Sequence, residues 1–143
     1  MIARATLLAC LAAGAAGAGV PNLVFNGSFD AGAAGAAPDG WQTAGDRAIV
    51  QRLVRVPAPD GGACAELSCT AFEGDGPSAH VMVCQTGHVE VRGERWYRLS
   101  FRSRGEAIAS GFVEVALSDM NGWRAGGLSE TFAANPGWEA HEM

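Results

Sequence analysis

The side chains of this 143-residue chain that can ligate a metal, attack a substrate or shuttle protons are three histidines, four cysteines and fifteen carboxylates. His80, His88 and His141 have no Cys or His at zinc-ligand spacing, and Cys64 and Cys69, with four residues between them, lack the second pair a zinc site needs. Cys84 and His88 form a nominal nucleophile and base, but they share one short segment whose apolar setting disfavours the thiolate. Gly61-Gly62 and Gly126-Gly127 are not followed by helical patterns, so no phosphate-cradling loop is formed. A pair of glycosidase carboxylates is defined by its separation across a cleft, and fifteen scattered acids define none. One acid stands apart: in Asn26-Gly27-Ser28-Phe29-Asp30 a turn gathers side-chain and backbone oxygens. Hard oxygen donors at a turn suit Ca²⁺, with Asp30 as the ligand. The same residues also suit an Asx-type turn in which Asn26 and Asp30 cap backbone groups.

What remains is recognition chemistry. Sugars are held by aromatic faces stacked on C–H patches, with planar polar groups taking the hydroxyls. Trp96, Trp123 and Phe72 are the stacking candidates, and Arg98, Arg102, Gln85 and Glu114 the hydrogen-bonding ones. Trp41, Tyr97, Phe101 and Phe132 are expected to pack inward.

These residues require a framework. Apolar residues recur with a period near two, and Gly, Pro, Asp and Asn interrupt them every ten to fifteen residues, which is the pattern of strands and turns. Strands are expected at Leu23–Phe25, Ala48–Val56, Cys64–Phe72, Ala79–Gln85, Val89–Val91, Trp96–Ser103, Gly111–Asp119 and Leu128–Phe132. The run Pro57-Ala58-Pro59-Asp60-Gly61-Gly62 breaks the ladder between two of them. No long stretch carries a 3.6-residue period, which excludes helical bundles and βαβ folds and leaves an all-β antiparallel sandwich. Alternation puts Tyr97, Leu99 and Phe101, with Val113, Val115 and Leu117, on the core face. If residues 73–78 close a hairpin, Cys69 and Cys84 stand opposite one another at disulfide distance, while Cys64 is left odd. The other reading is two buried thiols.

The N-terminus reads as an address. Arg4, the apolar stretch Ala5–Ala13 and the small residues Ala16-Gly17-Ala18 match an export leader cut after Ala18, leaving residues 19–143 as one secreted or cell-surface domain. A lipobox ending at Cys10 is the alternative. The stretch is too short to span a bilayer, so no membrane span is expected. Formal charge is −5, and it becomes −6 once Arg4 is gone; every basic residue is Arg, so nucleic acid is a poor partner.

The order of motifs carries a family likeness. Asn22-Leu23-Val24-Phe25-Asn26-Gly27-Ser28-Phe29-Asp30, followed by Pro38-Asp39-Gly40-Trp41, resembles the opening of CenC-type carbohydrate-binding modules (families 4, 9, 16 and 22). Gly93–Gly105 is similar to that group's "G..YrLsF" strand, Val113–Leu117 to the strand after it, and Thr131-Phe132 with Pro136-Gly137-Trp138 to its "tF…W" segment. The resemblance implies a jelly-roll β-sandwich of the galactose-binding-like type, appended to a secreted glycoside hydrolase or another longer polypeptide. It implies a non-catalytic module binding oligo- or polysaccharide on a sheet face and holding a structural Ca²⁺ to which Asp30 contributes. Such modules continue through further strands beyond the final Trp, so the last strands are expected to be missing here. The Cys69 and Cys84 pair departs from the general family. A structural or protein-adhesion sandwich without sugar binding is the competing function, and a small two-carboxylate hydrolase a third.

Overall fold

The computed structural model describes residues 21–124 and 129–143 in full and residues 5–10 as backbone. The rest of the expected leader, and Leu128, lie outside the described residues.

The described chain is all-β and antiparallel. Its strands are β1 (Ala5–Cys10), β2 (Gln42–Ala44), β3 (Val50–Pro57), β4 (Ala63–Ala71), β5 (Met82–Cys84), β6 (Ser100–Glu106), β7 (Phe112–Ala116), β8 (Ser129–Ala133) and β9 (Glu139–Glu142). The main sheet runs β3-β4-β1-β6-β9, with β2-β5 and β7-β8 as separate two-stranded sheets.

Pairing register defines two faces of the main sheet. Ala9 pairs with both Ala65 and Ser103, so Ala65 and Leu67 of β4 share a face with Phe101, Ser103 and Gly105 of β6. Leu53 joins that face opposite Leu67. There Phe29, Leu53, Ala63, Ala65 and Leu67 form the buried core, with Trp41 and Val83 packed against them. Phe132 of β8 meets Phe101 edge-on, ring centroids 5.2 Å apart. A Cβ at Gly105 would lie 2.5 Å from Ile108 Cδ1 and 3.2 Å from Ala134 Cβ, so chain also covers the sheet here. Val83 carries the β2-β5 sheet, and Phe132 the β7-β8 sheet, onto the same face, which makes two layers in the manner of a sandwich. The opposite face carries Cys64 and Ala58 with Val56 and Trp138, and the guanidiniums of Arg102 and Arg104 lie 5.6 and 5.7 Å from the Trp138 ring.

Four expectations change. Leu23–Phe25 is a turn-rich loop and Val89–Val91 is irregular. Tyr97 is 38% exposed and precedes the strand, which begins at Ser100; its hydroxyl accepts from the Arg92 N–H at 2.7 Å. The hairpin that was to oppose Cys69 and Cys84 does not form, and both thiols are free. Instead Cys84 of β5 pairs with Gln42 of β2, and Cys69 with Ala5 and Gln51. Residues 78–82 are drawn toward β2, because Asp46 N–H donates to the Ser78 carbonyl at 2.9 Å. Gln51 ties the two ends together, donating to the Ala44 carbonyl at 2.8 Å and accepting from the Met82 N–H at 3.1 Å.

Candidate functional site

The motif that opens the domain folds into a brace. Asn26 sits at φ 46°, a conformation Asn tolerates better than most residues. Its amide donates to the carbonyls of Ala31 and Asp39, and its side-chain oxygen accepts from the Ala31 N–H, each at 3.0 Å. The Trp41 indole donates to the Asn26 carbonyl at 3.1 Å and tilts over the buried Phe29 ring, centroids 5.0 Å apart. Arg55 Nε donates to the Phe29 carbonyl at 2.8 Å, pinning the loop to β3. The residues of the motif thus build core and loop.

The residues around Asp30 do not fit a calcium ion. The carbonyls of Asn26, Ala31 and Asp39 are taken by the Trp41 indole, the Asn26 amide and backbone N–H groups. Asp30 itself is exposed, and among the described residues no group of three or more His, Cys, Asp or Glu is placed to hold a metal. Ca²⁺ takes six to eight oxygens, and the exposed Asp30 beside carbonyls already accepting hydrogen bonds does not supply them.

The sugar-site candidates are scattered. Gln85 donates its amide to the Phe25 carbonyl, and its own oxygen is buried without a partner. Arg102 pairs with Asp60 at 2.9 Å on the outer face of β6. Glu114 accepts from Ser129 Oγ at 2.7 Å across the β7-β8 pair. Trp96 and Arg98 are exposed in the segment before β6, Trp96 completely so at 101%. No described hydrogen bond, ion pair or ring contact joins any two of Gln85, Trp96, Arg98, Arg102, Glu114 and Trp123.

Trp123 shares its loop with polar residues that sequence reasoning passed over. It belongs to the loop that follows β7. Asp119 Oδ1 accepts from the N–H groups of Asn121 and Gly122 at 2.8 and 2.7 Å. The Asp119 N–H donates to the Arg124 carbonyl at 3.0 Å, and Trp123 N–H to the Asp119 carbonyl at 3.1 Å. This knot holds Trp123 at φ 55° with the residue 65% exposed. A left-handed conformation costs a bulky residue about 1–3 kcal/mol, and no burial of the ring offsets it. Asp119, Asn121, Gly122 and Arg124 line a shallow open cavity of about 190 Å³. Arg124 folds over the loop, its Nε 3.8 Å from where a Cβ on Gly122 would stand. The available signal was Asp119-Met120-Asn121-Gly122, an Asx-turn sequence immediately before a tryptophan.

One short loop therefore carries an exposed indole and an open cavity lined by a carboxylate, an amide and a guanidinium. Among the described residues no helix is long and apolar enough to cross a membrane. Set against family models, curated proteins and solved structures, the chain matches nothing in any of the three comparisons.

Proposed function

We propose that this protein is a non-catalytic carbohydrate-binding module, exported and tethered to further domains, of the jelly-roll, galactose-binding-like type. It takes glycan on the loop after β7. Trp123 stacks on a sugar ring, and Asp119, Asn121 and Arg124 take its hydroxyls.

The observation that carries this reading is the exposed Trp123 indole, held in a strained backbone by a side-chain-capped turn, on the same short loop whose Asp119, Asn121 and Arg124 line an open cavity. A ring that adds nothing to the core and rests on an unfavourable backbone is better accounted for by an outside partner than by packing. At about 190 Å³ the cavity falls below the roughly 300–1,000 Å³ of enclosed ligand pockets, which suits a contact with one sugar ring rather than engulfment of a chain. Trp96 provides a second exposed ring for longer glycans.

The test is a glycan-array screen of the full chain followed by titration calorimetry on the best ligand. Trp123→Ala is expected to weaken binding at least tenfold, about 1.4 kcal/mol, with the melting temperature unchanged. Arg124→Ala should weaken it less. Failure of the folded chain to bind any glycan would transfer the weight to a structural or adhesive sandwich.

A further inference from the structure

The apolar centre of the expected leader and the middle strand of the main sheet are the same residues. Ala5–Cys10 forms five register pairs with β4, from Ala5↔Cys69 to Ala9↔Ala65, and five with β6, from Thr6↔Glu106 to Cys10↔Arg102. A chain cut after Ala18 loses this strand, and the sheet is left as β3-β4 and β6-β9 with a gap between them.

We propose that β4 and β6 frame a strand-acceptor site, filled by Ala5–Cys10 in the full chain and open in the exported chain to one extended, uncharged segment of a partner polypeptide. Both walls run antiparallel to β1, so they are parallel to each other and stand about two strand spacings apart, roughly 9.5 Å. That width admits one strand. Direct closure would have to carry β6 and β9 sideways across the layer beneath, where Phe132 is seated on Phe101 and Ile108 and Ala134 cover Gly105. An unfilled gap leaves two rows of backbone N–H and C=O groups without partners inside the sheet, the arrangement that recruits strands from other chains.

The walls state the chemistry of the occupant. Toward the covered face they present Ala65, Leu67 and Cys69 from β4 and Ser103 and Gly105 from β6, all buried and mostly small. Toward the other face they present Glu66 and Ser68 from β4 and Arg102, Arg104 and Glu106 from β6. The accepted segment is therefore five or six residues long, runs antiparallel to β4, carries medium-sized apolar residues at alternate positions on one face and tolerates polar ones on the other. Residues 5–10 meet this description at Ala5, Leu7 and Ala9, the register partners of Cys69, Leu67 and Ala65.

The experiment uses the full chain, with a specific protease site replacing part of residues 12–17. The folded protein is cut, unfolded in urea and refolded with or without an excess of a fluorescent peptide of sequence 4–11. Uptake of the peptide with saturable anisotropy, and its loss by at least tenfold with a Leu7→Asp peptide, is the expected result. Refolding to the same circular dichroism with no peptide taken up, equal uptake of the Leu7→Asp peptide, or no uptake under any condition would overturn the proposal. Independently, Ala5→Cys in the uncut chain should crosslink to Cys69 in an oxidised glutathione buffer, and absence of that crosslink counts against an inserted strand.

Discussion

Three hydrogen bonds that shape the loop from Asn22 to Trp41 end on a single amide, that of Asn26. Asn26→Gly keeps the left-handed backbone and deletes the amide, so it isolates those bonds; the expected loss is about 1–3 kcal/mol by urea denaturation. A chelator should leave the melting temperature of the unmodified protein unchanged, because the amide occupies the carbonyls a cation would need. Cys84 yields a prediction in pH. Burial pushes its thiol above the ordinary value of 9.0, partly opposed by a hydrogen bond from Gln42. The unfolded chain therefore loses this proton first, and stability, intact below pH 9, falls as pH rises beyond it. Alkylation of Cys84 in the folded protein should be slow at neutral pH, and Cys84→Ala should flatten the alkaline fall in the urea midpoint. At this scale the sequence was informative where residues pack: the Asn26, Phe29 and Trp41 motif stands out because core and turn geometry restrict residue type. Asp119, Asn121 and Arg124 were illegible as a candidate site because a turn signature says how a loop bends, not which side chains it gathers.

Among the elements, β3 and β4 fall where the sequence expects strands, yet β4 is buried on both faces rather than alternating, with Cys64 and Ser68 as covered as Ala65 and Leu67. The three that went unexpected have physical reasons. Residues 5–10 carry no polar alternation, β2 is three residues long, and β9 is Glu-Ala-His-Glu, whose one inward ring is His141 against Phe101 and Phe132. Ser103 Oγ lies 2.9 Å from His141 Nε2, so a polar contact rather than an apolar pattern secures that edge. The turn after β2 is equally hidden. Gly45 sits at φ 130°, and a Cβ there would strike the His80 carbonyl. Gly45→Ala should cost about 1–3 kcal/mol, and hydrogen exchange should register it first at the Met82 and Cys84 amides.

For the molecule as a whole, stability is concentrated where the layers meet. Leu67 is 4% exposed and belongs to the same core as Phe29 and Leu53. Leu67→Ala should therefore cost about 2–5 kcal/mol, measured as a shift of the urea midpoint, whereas the exposed Trp96→Ala should cost almost nothing. Fold class was readable from periodicity, since two-residue alternation and frequent turn residues leave little else. Strand order was not, because pairing between distant segments depends on which edges remain open once the local hairpins have formed. The position of β1 sets the order of assembly. The β3-β4 hairpin can form within some twenty residues of chain, while Thr6 must wait for Glu106, about a hundred residues further along. A ribosome delivers β1 long before either of its neighbours exists, so the gap between them is closed late, by a segment made well before both of its walls. Throughout synthesis that apolar segment is free to be claimed by whatever else binds nascent chains.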